Sequence, residues 1–494
     1  MNGINISVLI TFIIYLAAML GIGFFFYAKS NNLSDYFLGG RQLNSWVTAL
    51  SAQASDMSGW LLMGLPAAAY WSGISAGWIA IGLGLGTYFN WKVVASRLRR
   101  FTAVSGDSIT IPEYLQNRFK SKSVAVRSIC AVIIFIFFLV YTASAFNAGA
   151  KLFQYVFNLD YVLALTIGAV IIISYTFLGG FLAVCWTDFF QGILMFFAIV
   201  IVPVVAAFKT PDLSVNMLTS LGGSGFLSLF SGVTFATVIS SLAWGLGYFG
   251  MPHILTRFMA IKSSSMIKKS RIIAMVWVAI SLTAAIAVGV VGFGYMESAG
   301  IAYASKGAAE IIFMDLATKL MPPLLTGVLL SAILAAVMST ADSQLLVTAS
   351  AVSNDFYKAL FRKNASDKEL MLVSRISVLV IAAIAYLIAL DPNSSVMGLV
   401  SYAWAGFGAA FGPVILLSLF WRRMTLKGAV AGMVSGGACV LIWETLKLEA
   451  TTSIYSLIPG FALSLLCVFA FSKLDKEPGD DVKEIFEKAK AANI

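Results

Sequence analysis

A carboxylate lies in the middle of an apolar stretch that is long enough to cross a membrane. Asp56 is flanked by Ser55 and Ser58 and is followed by Gly59, all within residues 46–71. A carboxylate in hydrocarbon is unfavourable and by default marks a functional site. The Ser-Gly step lets backbone carbonyl groups turn away from the helix axis, where they can bind an alkali cation. The alternative is a kink that only packs against neighbouring helices.

A second apolar stretch is interrupted in the same way. Residues Trp244–His253 contain three glycines and Pro252. Helix-breaking residues in corresponding segments of two halves indicate the binding site of an inverted-repeat transporter. We expect these segments, the second and seventh apolar spans, to run in opposite directions because they are five spans apart. A kinked packing helix is again the alternative.

Polar atoms recur at helical spacing in the ninth span. Ala336, Ser339 and Thr340 share one helix face, at i, i+3 and i+4. Their oxygens, with carbonyls from the interruption near Asp56, would surround Na⁺ with neutral ligands. A Ser-Thr pair in a membrane helix usually bonds the carbonyl one turn earlier, so this prediction depends on the neighbouring interruption. Asp342 lies on an overlapping face that points elsewhere.

The composition is that of a polytopic membrane protein. Of the 494 residues, 60% are hydrophobic and 11% are charged, and the mean hydropathy is +0.90, whereas soluble domains have about 25% charged residues. The four cysteines lie in apolar stretches without paired spacing, so no disulfide framework or metal-thiolate site is predicted. The absence of a phosphate-binding Gly-x-x-x-x-Gly-Lys-Ser/Thr loop argues against an ATP-driven pump.

The apolar runs predict an all-α fold with thirteen transmembrane helices, at about 20 residues per span. Basic residues concentrate in the loops after spans 1, 3, 7, 9 and 11, among them Lys29, Arg118, Arg257 and Arg362. The positive-inside rule then places the N-terminus outside and the C-terminus in the cytoplasm. The net charge of +10 therefore reflects topology, and no nucleic acid partner is predicted. We expect one transmembrane domain over residues 1–473 and a charged cytoplasmic tail over 474–494.

The longer motifs resemble the sodium:solute symporter family over essentially the whole chain. These motifs are Ala54–Pro66, Gly179–Asp188, Trp244–His253, Ala332–Thr340 and Ser401–Val414. The resemblance implies a leucine-transporter-like fold, in which spans 2–11 form a five-plus-five inverted repeat and spans 2 and 7 are broken. The core repeats would cover about 42–210 and 230–421, and the additional spans would cover about 6–27, 426–446 and 453–472.

The resemblance also implies the roles of individual residues. The sodium site would be formed by Ala54, Met57, Ala336, Ser339 and Thr340. Asp56 would provide high sodium affinity, and Asp188 would lie on the inner cation route. Substrate contacts, by similarity to proline-carrying members, would come from Ser58, Gly59, Tyr141, Trp244, Tyr248 and Pro252. Asp342 departs from the pattern of those members, so it indicates either a second cation site or a solvated or hydrogen-bonded carboxylate.

The sequence therefore predicts a secondary transporter, not an enzyme, in which inward Na⁺ movement drives L-proline uptake by alternating access. Its expected location is a bacterial cytoplasmic membrane, with Na⁺, L-proline and the lipid bilayer as partners and no obligate protein partner. A symporter of another small organic solute on the same fold is the alternative. A membrane sensor is less consistent with the sequence, because the tail of about 20 residues is too short for a signalling domain. A channel would need a continuous pore, which competition between solutes during flux would reveal.

Overall fold

The described part of the chain is helical, apart from one isolated bridge. A computed structural model describes residues 6–27, 33–178, 180–492 and 494. Lys29 and Gly179, which were named above, lie outside the described residues. Within the described ranges, every regular element is a helix, and Leu43 and Ile261 form a single parallel bridge.

The first half contains long apolar helices separated by short ones. In chain order its α-helices are α1 (Ile6–Tyr27), α2 (Leu33–Leu38), α3 (Ser45–Asp56), α4 (Ser58–Leu62), α5 (Gly64–Ser72), α6 (Gly77–Phe89), α7 (Ala95–Val104), α8 (Ile111–Arg118), α9 (Ala125–Phe157), α10 (Tyr161–Leu178), α11 (Phe181–Lys209) and α12 (Val215–Gly222). A π-helical segment, Asn90–Val94, joins α6 to α7.

The second half repeats this alternation. Its α-helices are α13 (Phe235–Ala243), α14 (Pro252–Ala260), α15 (Ile267–Ser298), α16 (Ile312–Leu320), α17 (Pro323–Ser350), α18 (Lys358–Leu360), α19 (Asp367–Ile388), α20 (Val396–Phe420), α21 (Leu426–Thr445), α22 (Leu448–Thr452), α23 (Leu457–Leu474) and α24 (Asp480–Ala491). A 3₁₀ segment, Trp244–Phe249, lies between α13 and α14, and a π-helical segment, Ala351–Tyr357, follows α17.

Ten segments of the described residues are long and apolar enough to cross a membrane. One of them, Ser58–Val104, contains 47 residues because α4 to α7 follow one another closely, and two further apolar helices are shorter than the others. In α17 and α20, 83% of the most apolar window is buried, against 33% in α1. The outer helices instead expose large apolar side chains such as Phe208, as a lipid-facing surface requires.

Local capping explains where α3 begins. Asn44 is extended, and its side-chain oxygen accepts hydrogen bonds from the N–H groups of Trp46 and Val47. Immediately before this cap, the Leu43 N–H donates to Ala260 O at 3.2 Å, and Lys262 N–H donates to Leu43 O at 3.0 Å. The start of α3 and the end of α14 therefore lie at the same face of the molecule, and the two helices run in opposite directions.

Candidate functional site

The backbone changes direction next to Asp56. Helix α3 ends at Asp56 and α4 begins at Ser58, and Met57 between them has φ −76° and ψ 3°. This residue is fully buried, and its carbonyl accepts the Leu61 N–H at 3.3 Å. Helix α4 ends after one turn at Leu62. The carbonyl groups of the last turn of α3 therefore lie inside the protein, and α3 does not continue beyond them as a regular helix.

Helix α17 contacts the last turn of α3 through the hydroxyl group of Ser339. The hydroxyl of Ser339 donates to Ala54 O at 2.9 Å and is 3.2 Å from Ala336 O. Thr340, on the same face, is fully buried, and its Oγ1 has no hydrogen-bond partner among the described residues. A buried polar atom without a partner is unfavourable unless it binds something. The predicted residues Ala54, Ala336 and Ser339 are thus in contact, and Thr340 offers an unused oxygen beside them.

These neutral oxygens suit Na⁺. Carbonyl groups freed at helix interruptions coordinate Na⁺ in transporters, and the donor set here contains carbonyl and hydroxyl oxygens only. The orphaned hydroxyl of Thr340 supports the same assignment.

Asp56 is held by two tyrosines from other helices. Tyr248, in the 3₁₀ segment before α14, donates its hydroxyl hydrogen to Asp56 Oδ2 at 2.6 Å. Tyr141, in α9, donates to the backbone carbonyl oxygen of Asp56 at 3.3 Å. Asp56 is fully buried, and its Oδ1 has no partner within the described ranges. The segment around Asp56 and the segment that contains Tyr248 are therefore in direct contact.

An aromatic cluster covers this region. The ring of Trp244 stacks on Tyr455, with centroids 5.4 Å apart and planes at 19°, and it also lies against Trp60 at 6.2 Å. The indole N–H of Trp404 donates to Trp244 O at 2.7 Å. Trp404 also contacts Tyr248 edge-on at 5.0 Å. The sequence prediction included Trp244 and Tyr248 but missed the other three aromatic residues.

The remaining predicted substrate residues lie close to the interruptions. Pro252 is the first residue of α14, a position where its missing N–H leaves no helical bond unmade. Ser58 is buried, and its hydroxyl accepts the Trp60 N–H at 3.3 Å. At Gly59 an added Cβ would lie 2.9 Å from the Cβ of Ala148. Close packing alone therefore requires glycine at Gly59, whatever its relation to a substrate.

Asp188 belongs to a buried ion pair. Arg257 Nη2 lies 3.0 Å from Asp188 Oδ2, and the exposed fractions of the two side chains are 1% and 0%. The guanidinium also donates to Ser51 Oγ at 3.1 Å and to Ser343 Oγ at 2.5 Å. Ser51 donates to the same carboxylate oxygen at 2.7 Å. The pair therefore connects α3, α11, α14 and α17.

This ion pair corrects the sequence interpretation of Arg257. The positive-inside count treated Arg257 as a loop residue, whereas the structure places it in the last turn of α14, buried beside Asp188. The sequence contained a signal, since Arg257 follows His253 by one helical turn within an apolar run. A basic residue there requires an acidic partner from another helix.

Asp342 lies next to the same network. It is fully buried. Ser343 Oγ lies 3.4 Å from Asp342 Oδ1, and Oδ2 has no partner among the residues that the structure describes. The Ser343 hydroxyl thus connects Asp342 to the guanidinium of Arg257, which pairs directly with Asp188. His253 is fully buried near Phe138 and Tyr141.

The sequence interpretation missed a second buried ion pair, between Glu310 and Lys151. Glu310 lies 2.6 Å from Lys151 Nζ and has only 2% of its side chain exposed. Its oxygens also accept the hydroxyl of Ser395 at 2.8 Å and the N–H groups at the start of α20. A carboxylate at a helix N-terminus is stabilised by the unpaired N–H groups there. The segment before α16 is therefore fixed to α9 and α20.

The fold is that of a multi-pass membrane transporter, and its interior contains the cluster of buried carbonyl and hydroxyl oxygens described above. A sequence model described as the sodium:solute symporter family matches residues 36–436. The chain belongs to the sodium:solute symporter family, whose members are sodium-coupled transporters and not enzymes.

Individual relatives match over almost their full length. A "Sodium/proline symporter" of Haemophilus influenzae is 49% identical over 492 residues, covering 98% of this chain and 98% of the relative. An "Osmoregulated proline transporter OpuE" of Bacillus subtilis is 46% identical over 494 residues, with 98% of each chain covered.

A solved structure supports the fold. A Na⁺-coupled sialic acid symporter, in a substrate-bound outward-open state, matches with a TM-score of 0.79 at 21% identity, over 96% of this chain and 99% of that one. The structure of MhsT in complex with L-phenylalanine matches with a TM-score of 0.55 at 12% identity, over 90% and 98%. These likenesses show the architecture of sodium-coupled transporters with a leucine-transporter-like fold.

Proposed function

We propose that the chain couples inward Na⁺ movement to uptake of L-proline by alternating access. The observation that carries the proposal is the contact of Ser339 with Ala54 O, beside the interruption at Met57. Relatives with 44–49% identity whose printed names are proline transporters support the choice of solute. Sodium is the coupling ion that family membership implies.

We propose that the sodium ligands are the carbonyl oxygens of Ala54, Met57 and Ala336 with the hydroxyls of Ser339 and Thr340. Asp56 is close enough in sequence to these carbonyls for its charge to raise cation affinity without a direct contact. Asp188 takes part in the inner route through Arg257. Asp342 is assigned as a buried hydrogen-bonding carboxylate.

The substrate position is proposed on the other side of the interruption. Trp244 and Tyr248 supply apolar ring faces that suit the flat pyrrolidine ring of proline, and Tyr141 and Ser58 supply hydroxyl groups. A secondary ammonium is also attracted to an aromatic face. Gly59 and Pro252 complete the set by allowing close approach of the backbone.

We further propose thirteen spans, with α3–α5 and α13–α14 as the two broken ones. The opposite directions of α3 and α14 support an inverted repeat over about 42–210 and 230–421. Residues 1–473 form one transmembrane domain, and 474–494 form a cytoplasmic tail. The basic loops place the N-terminus outside and the face that carries Leu43 in the cytoplasm of a bacterium.

The driving forces are sufficient for accumulation of the solute. A tenfold sodium gradient supplies about 1.4 kcal/mol, and one charge moving through 100 mV supplies about 2.3 kcal/mol. Together they support a solute gradient of about a few hundredfold.

The test is uptake of labelled proline into proteoliposomes with an imposed sodium gradient. We expect uptake that requires external Na⁺, increases with an inside-negative potential and is reduced by unlabelled proline but not by other amino acids. Undiminished uptake with choline in place of sodium, at a clamped potential, would exclude sodium coupling. Competition by a different amino acid or a carboxylate would favour the alternative of another small organic solute.

A further inference from the structure

A fully buried carboxylate lies in the segment that follows the end of α17. Asp355 is in the π-helical segment Ala351–Tyr357 and has 0% exposure. π-Helical turns are rare and occur frequently at functional positions. The residue follows Thr340 on the same continuous helical run, and neither the sodium site nor the substrate position uses it.

Asp355 connects α17 to the loop before α8. Thr110 donates its hydroxyl hydrogen to Asp355 Oδ1 at 3.0 Å. The lone pair of the same hydroxyl accepts the Glu113 N–H at 3.2 Å, because Thr110 is also the N-cap of α8. The Thr110 hydroxyl therefore caps the N-terminus of α8 and also connects it, through Asp355, to the helical run of α17.

A basic residue from α9 completes this cluster. Arg127 Nη2 lies 3.0 Å from Glu113 Oε1, and its Nε lies 3.8 Å from Asp355 Oδ1. Glu113 Oε2 in turn accepts the Ile109 N–H at 2.9 Å. The cluster thus fixes the start of α8 to both α9 and α17.

The cluster borders a small space that Pro252, one of the proposed substrate residues, also lines. A space of about 10 Å³ is lined by Pro252 and Thr256 of α14, by Ser350 of α17, and by Thr110 and Asp355. A volume of about 10–15 Å³ holds one water molecule. Thr110 and Asp355 therefore line the same small space as Pro252.

The same loop is fixed on its other side to the interrupted spans. Arg41 donates to Ser108 O at 2.9 Å and to Met259 O at 2.6 Å, and it pairs with Asp107 at 2.8 Å. Burial lowers the pKa of the Arg41 guanidinium, and Asp107 partly opposes that shift. The contact from Thr110 to Asp355 is thus where the loop that follows α7 meets α17.

We propose that Thr110 and Asp355 form the latch of the cytoplasmic gate, which is closed in this structure and opens to release solute and sodium. The inference rests on the alternating-access function proposed above. Asp355 acts as a positioning residue: it holds the loop across the exit and contacts neither solute nor sodium. Its Oδ2, which has no partner in the described parts of the chain, becomes hydrated when the loop moves away.

The test measures opening directly, without transport. A cysteine replaces Ser350 in a chain whose four native cysteines are alanine, and a membrane-impermeant maleimide is applied to the cytoplasmic side of inside-out vesicles. We expect Thr110→Val and Asp355→Asn to increase the labelling rate about tenfold. The first variant removes the hydroxyl that donates to Asp355, and the second weakens the same hydrogen bond by removing the charge of the acceptor. The double variant should label no faster than the single variants, since both disrupt one contact.

Two control variants separate a latch from general loosening. Thr110→Ser keeps the hydroxyl and should label at the parental rate. Thr348→Val removes a buried hydroxyl of α17 that bonds within its own helix, to Gln344 O at 2.7 Å, and should also label at the parental rate. Parental labelling of Thr110→Val and Asp355→Asn, or faster labelling of Thr348→Val to the same extent, would overturn the proposal. Loss of proline uptake in the parent would contradict the proposed function while leaving the labelling result intact.

Discussion

The hydroxyl of Ser339 donates a 2.9 Å hydrogen bond to the carbonyl oxygen of Ala54, a residue 285 positions earlier in the chain. The contact joins the middle of α17 to the last turn of α3. Because α3 stops two residues later, the carbonyl of Ala54 lies at a helix end, where it can accept such a contact or bind a cation. The predictions below test what this junction binds and what holds it in place.

Removing either hydroxyl should weaken sodium binding. We expect Ser339→Ala and Thr340→Ala to raise the sodium concentration for half-maximal transport by about tenfold, because each hydroxyl is one of few ligands. Proline affinity at saturating sodium should change less, although linkage predicts an apparent loss at low sodium. The control is Ser331→Ala, whose buried hydroxyl bonds only to Gly327 O of its own helix. An unchanged sodium dependence in both variants would mean that the site lies elsewhere.

Neutralising Asp56 should have a sodium-dependent effect. We expect Asp56→Asn to lose most transport at low sodium and to recover part of it at high sodium, because asparagine retains the acceptor for Tyr248 but removes the charge. Asp315→Asn is a matched control, since Asp315 is buried and hydrogen-bonded to Tyr155 away from the site. Uptake measured over a range of sodium concentrations would contradict the role of Asp56 if the loss were equal at all of them.

Removing aromatic side chains of the cluster should weaken proline binding more than sodium binding. We expect Trp244→Ala and Tyr141→Ala to weaken proline binding by about 1–3 kcal/mol, or about ten- to a hundredfold, with sodium binding largely retained. Trp421→Ala, which removes a tryptophan that stacks on Phe469 away from the site, controls for the loss of a large side chain. Equilibrium binding of labelled proline provides the measurement, and parental affinity in both variants would assign these rings to packing alone.

The sequence predicted the principal contacts of the site because their signals are local. A carboxylate beside a Ser-Gly step and a face of hydroxyls at helical spacing are each visible within about ten residues. The predicted oxygen cage requires these two segments to meet, and the structure brings Ala54, Ser339 and Ala336 together.

Other contacts could not be predicted, because they join residues that are distant in sequence. Trp404 and Tyr455 lie more than 100 residues from the interruptions, and only packing brings them against Trp244. Arg257 was misplaced for a related reason: the positive-inside rule counts basic residues and does not distinguish a loop cation from one paired inside the membrane. The glycines of the seventh span show a further limit. A Cβ on Gly245 would lie 2.2 Å from Gly82 O, so close helix contact requires that glycine in addition to any binding role.

Breaking the ion pair between Asp188 and Arg257 should lower the free energy of unfolding. We expect Arg257→Gln to lower the free energy of unfolding by about 3–5 kcal/mol, because it leaves a buried carboxylate without its cation. The double variant Asp188→Asn/Arg257→Gln should be more stable than Arg257→Gln alone. Arg422→Gln removes an exposed partner of Glu487 and should change stability by less than about 1 kcal/mol. Thermal unfolding in detergent compares the four proteins, and equal midpoints for Arg257→Gln and Arg422→Gln would show that the buried pair contributes little.

The number of sodium ions per solute distinguishes the two interpretations of Asp342. Asp188 and Asp342 lie near one guanidinium, and Arg257 already places a positive charge between helices α11, α14 and α17. A second Na⁺ at this position would have to share the carboxylates with that guanidinium. We therefore expect one charge to move per proline in the parent. Asp342→Asn should leave this ratio and the Hill slope for sodium unchanged, whereas Asp56→Asn should shift the sodium dependence without changing the ratio. Simultaneous measurement of current and labelled proline uptake in proteoliposomes gives the ratio directly. A parental ratio near two that falls to one in Asp342→Asn would assign Asp342 to a second cation site.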